Sequence, residues 1–254
     1  MTAPCNCARF AAAPLSHGGT PTELWRTAFA SSPPPPLDLA SCRHLVVAAP
    51  HPDDETLGFG ATIAQLASAG VPVRVVSVSD GDAAHPGAPE AQRSRLAAVR
   101  RDEIRRATTT LRTAAPVELG LPDGELADHE PAIAHALTQL LQDADDATWC
   151  AATWRGDGHP DHEAVGRAAA TACARTGATL LEYPVWMWHW AQPEDRAVPW
   201  DRAHCVPAPG WATARKRQAA QCYRSQFTSS GDEPAVLPPF VLDRLFAVGE
   251  VVFR

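Results

Sequence analysis

From His44 onward the chain alternates short apolar, β-branched runs with segments of helical periodicity, and this alternation limits the fold more than any other feature. The apolar runs cover 44–49, 73–79, 116–119, 148–153 and 179–185. Helical spacing covers 56–69, 90–112, 130–143 and 162–175. Strand then helix, repeated, predicts an α/β fold with a mostly parallel sheet covered on both faces. Gly70 and Pro72 stop the first helix. The second is densely charged and reads as a solvated, salt-bridged face. Beyond 185 the pattern weakens. Trp186, Trp188 and Trp190 alternate as they would on one face of a strand. A helix is expected over 212–227, another over 239–246, and a last strand over 249–253.

The segment before the alternation has a different character. Residues 1–42 form an arm: a loose, Ala/Pro/Gly/Ser-rich start to about 20, a short helix over 22–29, then prolines 33–36 in extended polyproline geometry. Leu24, Trp25 and Phe29 are expected on one side of that helix. The arm reads as a strap packed on a single α/β domain, residues 43–254, with an elaborated part from about 186. A net charge of −7 without a basic cluster argues against nucleic acid as partner. No window approaches 18 consecutive apolar residues, so no membrane span is expected. The start shows no signal-peptide pattern. Seven scattered cysteines suggest reduced thiols in a cytoplasmic protein. Cys5 and Cys7 read as a free pair.

Two loops carry the chemistry. Pro50-His51-Pro52-Asp53-Asp54-Glu55 follows the first apolar run, and His159-Pro160-Asp161-His162-Glu163 follows the fourth. In an open α/β sheet, ligands bind at such strand-to-helix junctions. Imidazole and carboxylate donors suit zinc or a related divalent ion such as iron(II). His51, Asp54 and His162 supply two neutral imidazoles and one carboxylate, which leaves an open position for water. Asp53, beside a ligand but diverging from it, is the candidate general base. His159 is the candidate stabiliser of the carbonyl oxygen, with Asp161 on its second nitrogen favouring the imidazolium. Each motif alone has a plainer use: Asp54 and Asp161 could be helix N-caps. The two together favour one shared metal site. A dinucleotide binder is disfavoured, because Gly58-Phe59-Gly60 comes too late and lacks a third glycine.

With these motifs located, the stretch from about His44 to Tyr183 resembles the PIG-L/LmbE-like zinc-dependent deacetylases. Arg100-x-x-Glu103 and Leu119-Gly120-Leu121-Pro122-Asp123-Gly124, itself a turn signal, resemble that family's supporting signatures. The resemblance implies a Rossmann-like sheet with the site at its C-terminal edge. It implies His51, Asp54 and His162 as metal ligands, Asp53 as base, and His159 oriented by Asp161 towards the oxyanion. The expected activity is removal of acetyl from an N-acetylglucosamine-type sugar in a small glycoconjugate, by attack of a zinc-activated water. An amidase acting on another acyl group or a thiol conjugate would share the site. A sugar-binding relative without turnover would need neither Asp53 nor His159. The resemblance places Arg100 towards substrate, against its plainer reading as one more exposed arginine. Asp80, ending the second strand, and Asp157, before the second motif, are candidate substrate-binding residues. Asp157 stands near a point where relatives carry an aromatic residue. The alternating tryptophans are candidate sugar-stacking faces.

Overall fold

The computed structural model describes residues 6–228 and 235–254. The arm carries helices α1 (Asn6–Ala11) and α2 (Thr22–Ser31). The alternating region runs β1 (His44–Ala49), α3 (Asp54–Ser68), β2 (Val73–Ser79), α4 (Glu90–Leu111), β3 (Val117–Leu121), α5 (Glu130–Leu140), β4 (Thr148–Thr153), α6 (Pro160–Thr176) and β5 (Thr179–Tyr183). The remainder adds α7 (Met187–Trp190), β6 (Ala203–Val206), α8 (Gly210–Ala220), α9 (Arg224–Phe227), α10 (Pro239–Val248) and β7 (Glu250–Phe253). Among the described residues the strands form one seven-stranded sheet in the order β3-β2-β1-β4-β5-β7-β6. The first five are parallel, and β7 and β6 complete the edge antiparallel.

Strand periodicity sorts the core. Leu45, Val47, Val75, Trp149 and Ala151 face one layer, where Phe59, Ile63, Ile104 and Leu111 of α3 and α4 cover them. Val46, Ala48, Val76, Val78, Cys150 and Ala152 face the other, covered by Ile133, Leu137, Val165 and Ala169 of α5 and α6. Burial on both faces explains why these strands read as continuous apolar runs rather than alternating ones. Gly58 lets α3 approach β5: a Cβ there would stand 2.3 Å from Cδ2 of Tyr183. The sheet reverses its winding between β1 and β4, so the loops after these two strands open onto one crevice.

The ends of the chain differ from expectation. Trp186, Trp188 and Trp190 do not share a strand face, because 187–190 is a helical turn. Trp188 and Trp190 are buried and donate their indole N–H groups to the carbonyls of Pro184 and Asp157, at 3.2 and 2.7 Å. They join Trp25, Leu57, Trp154 and Phe253 in a third apolar cluster under the arm. The start of the arm is not loose throughout, since α1 packs on this region through Phe10. Leu24 points outward, 49% exposed, while Trp25 is fully buried; adjacent helical residues diverge by about 100°. The polyproline strap runs along β6, with Leu37 N–H on Cys205 O at 2.8 Å and Cys205 N–H on Pro35 O at 3.0 Å. The helix expected over 212–227 breaks at 221–223 into α8 and α9. Cys5 lies outside the described residues; Cys42, Cys150, Cys173, Cys205 and Cys222 carry free thiols. No helix among the described residues is long and apolar enough to cross a membrane.

Candidate metal centre and active site

The two loops meet. Asp54 opens α3, where its carboxylate sits at the positive end of the helix dipole. Its Oδ2 lies 3.1 Å from Nδ1 of His51 and 3.2 Å from Nε2 of His162. Donors about 2.0–2.1 Å from one tetrahedral ion stand about 3.3 Å apart, so these separations match two edges of such a polyhedron. The outer nitrogens are already committed. Nδ1 of His162 lies 2.8 Å from Asp157 Oδ2, and Nε2 of His51 lies 3.0 Å from Asp123 Oδ1 and 3.2 Å from Asp161 Oδ2. Carboxylates on the outer nitrogens hold protons there and turn the inner lone pairs towards Asp54. Nε2 of His162 is buried and has no hydrogen-bond partner among the described residues. A buried, orphaned nitrogen beside a carboxylate is what a missing cation would satisfy. The donor set therefore fits a divalent metal ion held by His51, Asp54 and His162.

Electrostatics agree. Burial opposes charge on His162, yet Asp54 and Asp157 outweigh it and hold the ring up at about 9. His51 is likewise raised against its burial by Asp123, Asp161 and Asp54. Asp54 is held far below the usual carboxylate range: burial works against its charge, and the two histidines overcome it. The cluster is a field that attracts positive charge.

Asp53 precedes α3 with φ 134° and ψ −30°, a backbone region that L-residues rarely adopt. Strain of this kind costs on the order of 1–3 kcal/mol and persists where neighbours enforce it. Here the Asp53 N–H donates to Glu55 Oε2 at 3.1 Å, and Arg100 Nη2 donates to Asp53 Oδ2 at 3.1 Å. Burial pushes the Asp53 carboxyl up to about 8, against the pull of Arg100 and with the help of Asp54 and Glu55. His159 is the N-cap of α6, and its Nδ1 accepts the Asp161 backbone N–H at 3.3 Å. Its ring centroid is 5.2 Å from that of His51 and 4.8 Å from that of His162. A cavity of about 280 Å³ is lined by His51, Asp53, Asp54, Arg100, His159 and Trp186 together with apolar side chains.

Several expectations change on this geometry. The Asp161 carboxylate does not hold His159; it accepts the N–H groups of Gly124 and Leu126 at 2.8 and 3.1 Å and faces His51. His159 is not favoured as imidazolium, because burial first, then His162 and His51, lowers it to about 3. Asp157 is fully buried, and beyond His162 it accepts the backbone N–H groups of Val185, Trp186 and Met187, each at 2.9 Å. It backs His162 and lies outside the cavity lining. Asp80 is paired with Arg101 and lies outside the cavity lining. Arg100 is not an exposed arginine: it is buried, and its Nη groups donate to Asp53 and to the carbonyls of Gly81 and Pro52 at 2.8 and 2.6 Å, while its Nε has no partner among the described residues. Of the alternating tryptophans only Trp186 reaches the cavity. Asp123 was legible only as part of a turn. Its carboxylate caps the Ala83 N–H at 2.7 Å, faces His51 and lines the cavity.

A family model for PIG-L, GlcNAc-PI de-N-acetylase, matches residues 45–173, slightly more than half of the chain. The chain belongs to the PIG-L family. Both metal-centre loops fall inside the matched segment. A probable N-acetyl-alpha-D-glucosaminyl L-malate deacetylase 2 of Bacillus anthracis is 31% identical over 135 residues, 52% of this chain and 60% of the relative. The chain thus spans about three-fifths of the length of the curated relatives it matches. Conserved protein TT1542 of Thermus thermophilus superposes with TM-score 0.55 at 27% identity, over 79% of this chain and 84% of that one. A triple mutant of the deacetylase Orf2 of the teicoplanin biosynthetic pathway gives 0.61 at 25% identity, over 83% and 96%. The PIG-L match stops before β5, so the arm and the elaborated end lie outside the matched segment.

Proposed function

We propose that the chain is a metal-dependent hydrolase that removes acetyl from an N-acetylglucosamine-type sugar in a small glycoconjugate. One observation carries the reading. Two histidines turn inner nitrogens onto Asp54, and Asp53 and His159 share the same cavity. Zinc is the metal we favour, because two imidazoles and one carboxylate make a common catalytic zinc set. When bound, such an ion acidifies water and polarises a carbonyl. The chain's own groups supply the rest. Asp53 takes the proton of the attacking water as its oxygen bonds to the acetyl carbon. His159 accepts the Asp161 N–H at Nδ1, which keeps the neutral ring's proton on Nε2. That N–H donates to the carbonyl oxygen as negative charge develops on it. The C–N bond then breaks, Asp53 returns its proton to the leaving amine, and acetate and the free amino sugar result. Arg100, in the lining of the same cavity, holds Asp53 Oδ2.

The same reading treats 43–254 as one α/β unit, supported by β7 and β6 extending the parallel sheet. It places the enzyme in the cytoplasm, supported by the free thiols. Asp53→Ala tests the mechanism. Acetate release from N-acetylglucosaminides should fall by about 10²–10⁴-fold while the metal is retained. Turnover equal to wild type would remove Asp53 as the base.

A further inference from the structure

We propose that Phe10, on helix α1 of the arm, is a positioning residue that holds His159 and Trp186 in place, so that the arm belongs to the catalytic unit. The inference rests on the deacetylase reading and adds to it a residue outside the segment matched by the family model.

Three contacts converge on the loop that carries His159. The Phe10 ring lies 5.1 Å from Trp186 and 6.2 Å from His159, centroid to centroid. Both partners line the cavity, whereas Phe10 does not. Gly158, immediately before His159, has φ +93°, and a Cβ there would meet Phe10 Cβ at 2.9 Å and Asn6 O at 3.1 Å. The helix therefore lies directly on the loop backbone. Asn6 Nδ2 also donates to Gly156 O at 2.8 Å. The far side of α1 is anchored by the Arg9–Asp195 ion pair, and the Arg9 guanidinium lies 4.4 Å from the Trp190 ring centroid.

The need for such a support is visible at His159. Among the described residues the His159 ring has one hydrogen bond, the 3.3 Å contact from Asp161 N–H, and is otherwise held by ring packing alone. His162, in contrast, is fixed by Asp157, and His51 by two carboxylates. Packing by Phe10 adds to the contacts with the His51 and His162 rings in fixing the His159 plane. His159 acts mainly as charge develops on the carbonyl oxygen, so loosening it should lower kcat more than it raises KM.

The test uses the full chain and compares wild type with Phe10→Ala, Phe10→Leu and Asn6→Ala. Acetate release, metal content and melting temperature are measured for each. Phe10→Ala should lower kcat on the order of tenfold with a much smaller change in KM, since small misplacements of a reacting group are costly. Phe10→Leu should recover most of the loss by refilling the space. Wild-type kcat in Phe10→Ala, measured well below its melting temperature, would overturn the proposal and leave α1 as packing only. If Phe10→Ala does not fold, Asn6→Ala decides: a lower kcat at wild-type stability supports it, and an unchanged kcat overturns it. Failure of the wild type on every N-acetylglucosaminide would count against the deacetylase reading alone. In that case the imidazole ¹⁵N resonances of His159, assigned with His159→Gln, decide. A shift in Phe10→Ala supports the positioning role, and coincident spectra overturn it.

Discussion

Asp157 lies behind His162, outside the cavity lining. One oxygen takes the N–H groups of Val185 and Met187, and the other takes Trp186 N–H and faces Nδ1 of His162. It ties β4's loop to the start of the tryptophan-rich segment and sets the tautomer of a ligand. Asp157→Ala should weaken metal binding about 10–100-fold, the usual effect of losing an outer-shell partner. Competition with a chelator of known affinity measures it, and wild-type affinity would show that His162 needs no such partner. The proposed ligands and base stand out in the sequence because His-Pro-Asp twice, at two strand ends, has few other uses. Roles that depend on direction did not stand out. Asp161 follows His159 by two residues, but its carboxylate turns to the Gly124–Leu126 backbone and His51. Asp80, Asp123 and Asp157 all lie near strand ends, and only their side-chain directions separate surface pair, cavity wall and buried support.

The helix that presents Asp54 is itself held from the other end of the chain. Glu250, the first residue of β7, reaches α3 and accepts Ala61 N–H, Thr62 N–H and Thr62 Oγ1–H at 2.7, 2.8 and 2.6 Å. Lys216 of α8 balances its charge at 2.8 Å, and both residues are buried. Glu250→Ala leaves that ammonium unpaired and should destabilise the fold by about 3–5 kcal/mol. The urea midpoint checks it; a loss below about 1 kcal/mol would mean Lys216 finds another partner. Elements of this kind divide by legibility. The parallel strands and their helices were readable, because two-sided burial writes long apolar runs and regular spacing. The four-residue β6 and α7 were not. A Trp-x-Trp-x-Trp pattern fits a strand face, and only the tertiary partners of the indole N–H groups, Pro184 O and Asp157 O, show that it is a buried turn.

On the scale of the whole molecule, sheet order puts the β1 and β4 loops at one crevice, and the added segments close around it. The arm lies on the His159 loop, α7 places Trp186 at the cavity, and β7 secures α3. The candidate centre, inside the segment that the PIG-L model matches, is thus framed by residues outside that segment. The reading proposed above requires one divalent ion, held by His51, Asp54 and His162, to support the hydrolysis. Stepwise zinc addition to the chelator-stripped chain, following acetate release from an N-acetylglucosaminide, tests this most directly. Turnover should rise linearly to a plateau at about one ion per chain, as a single tight three-ligand site requires, and His162→Ala should show no such rise. Full turnover by the stripped chain, or an undiminished response in His162→Ala, would contradict it.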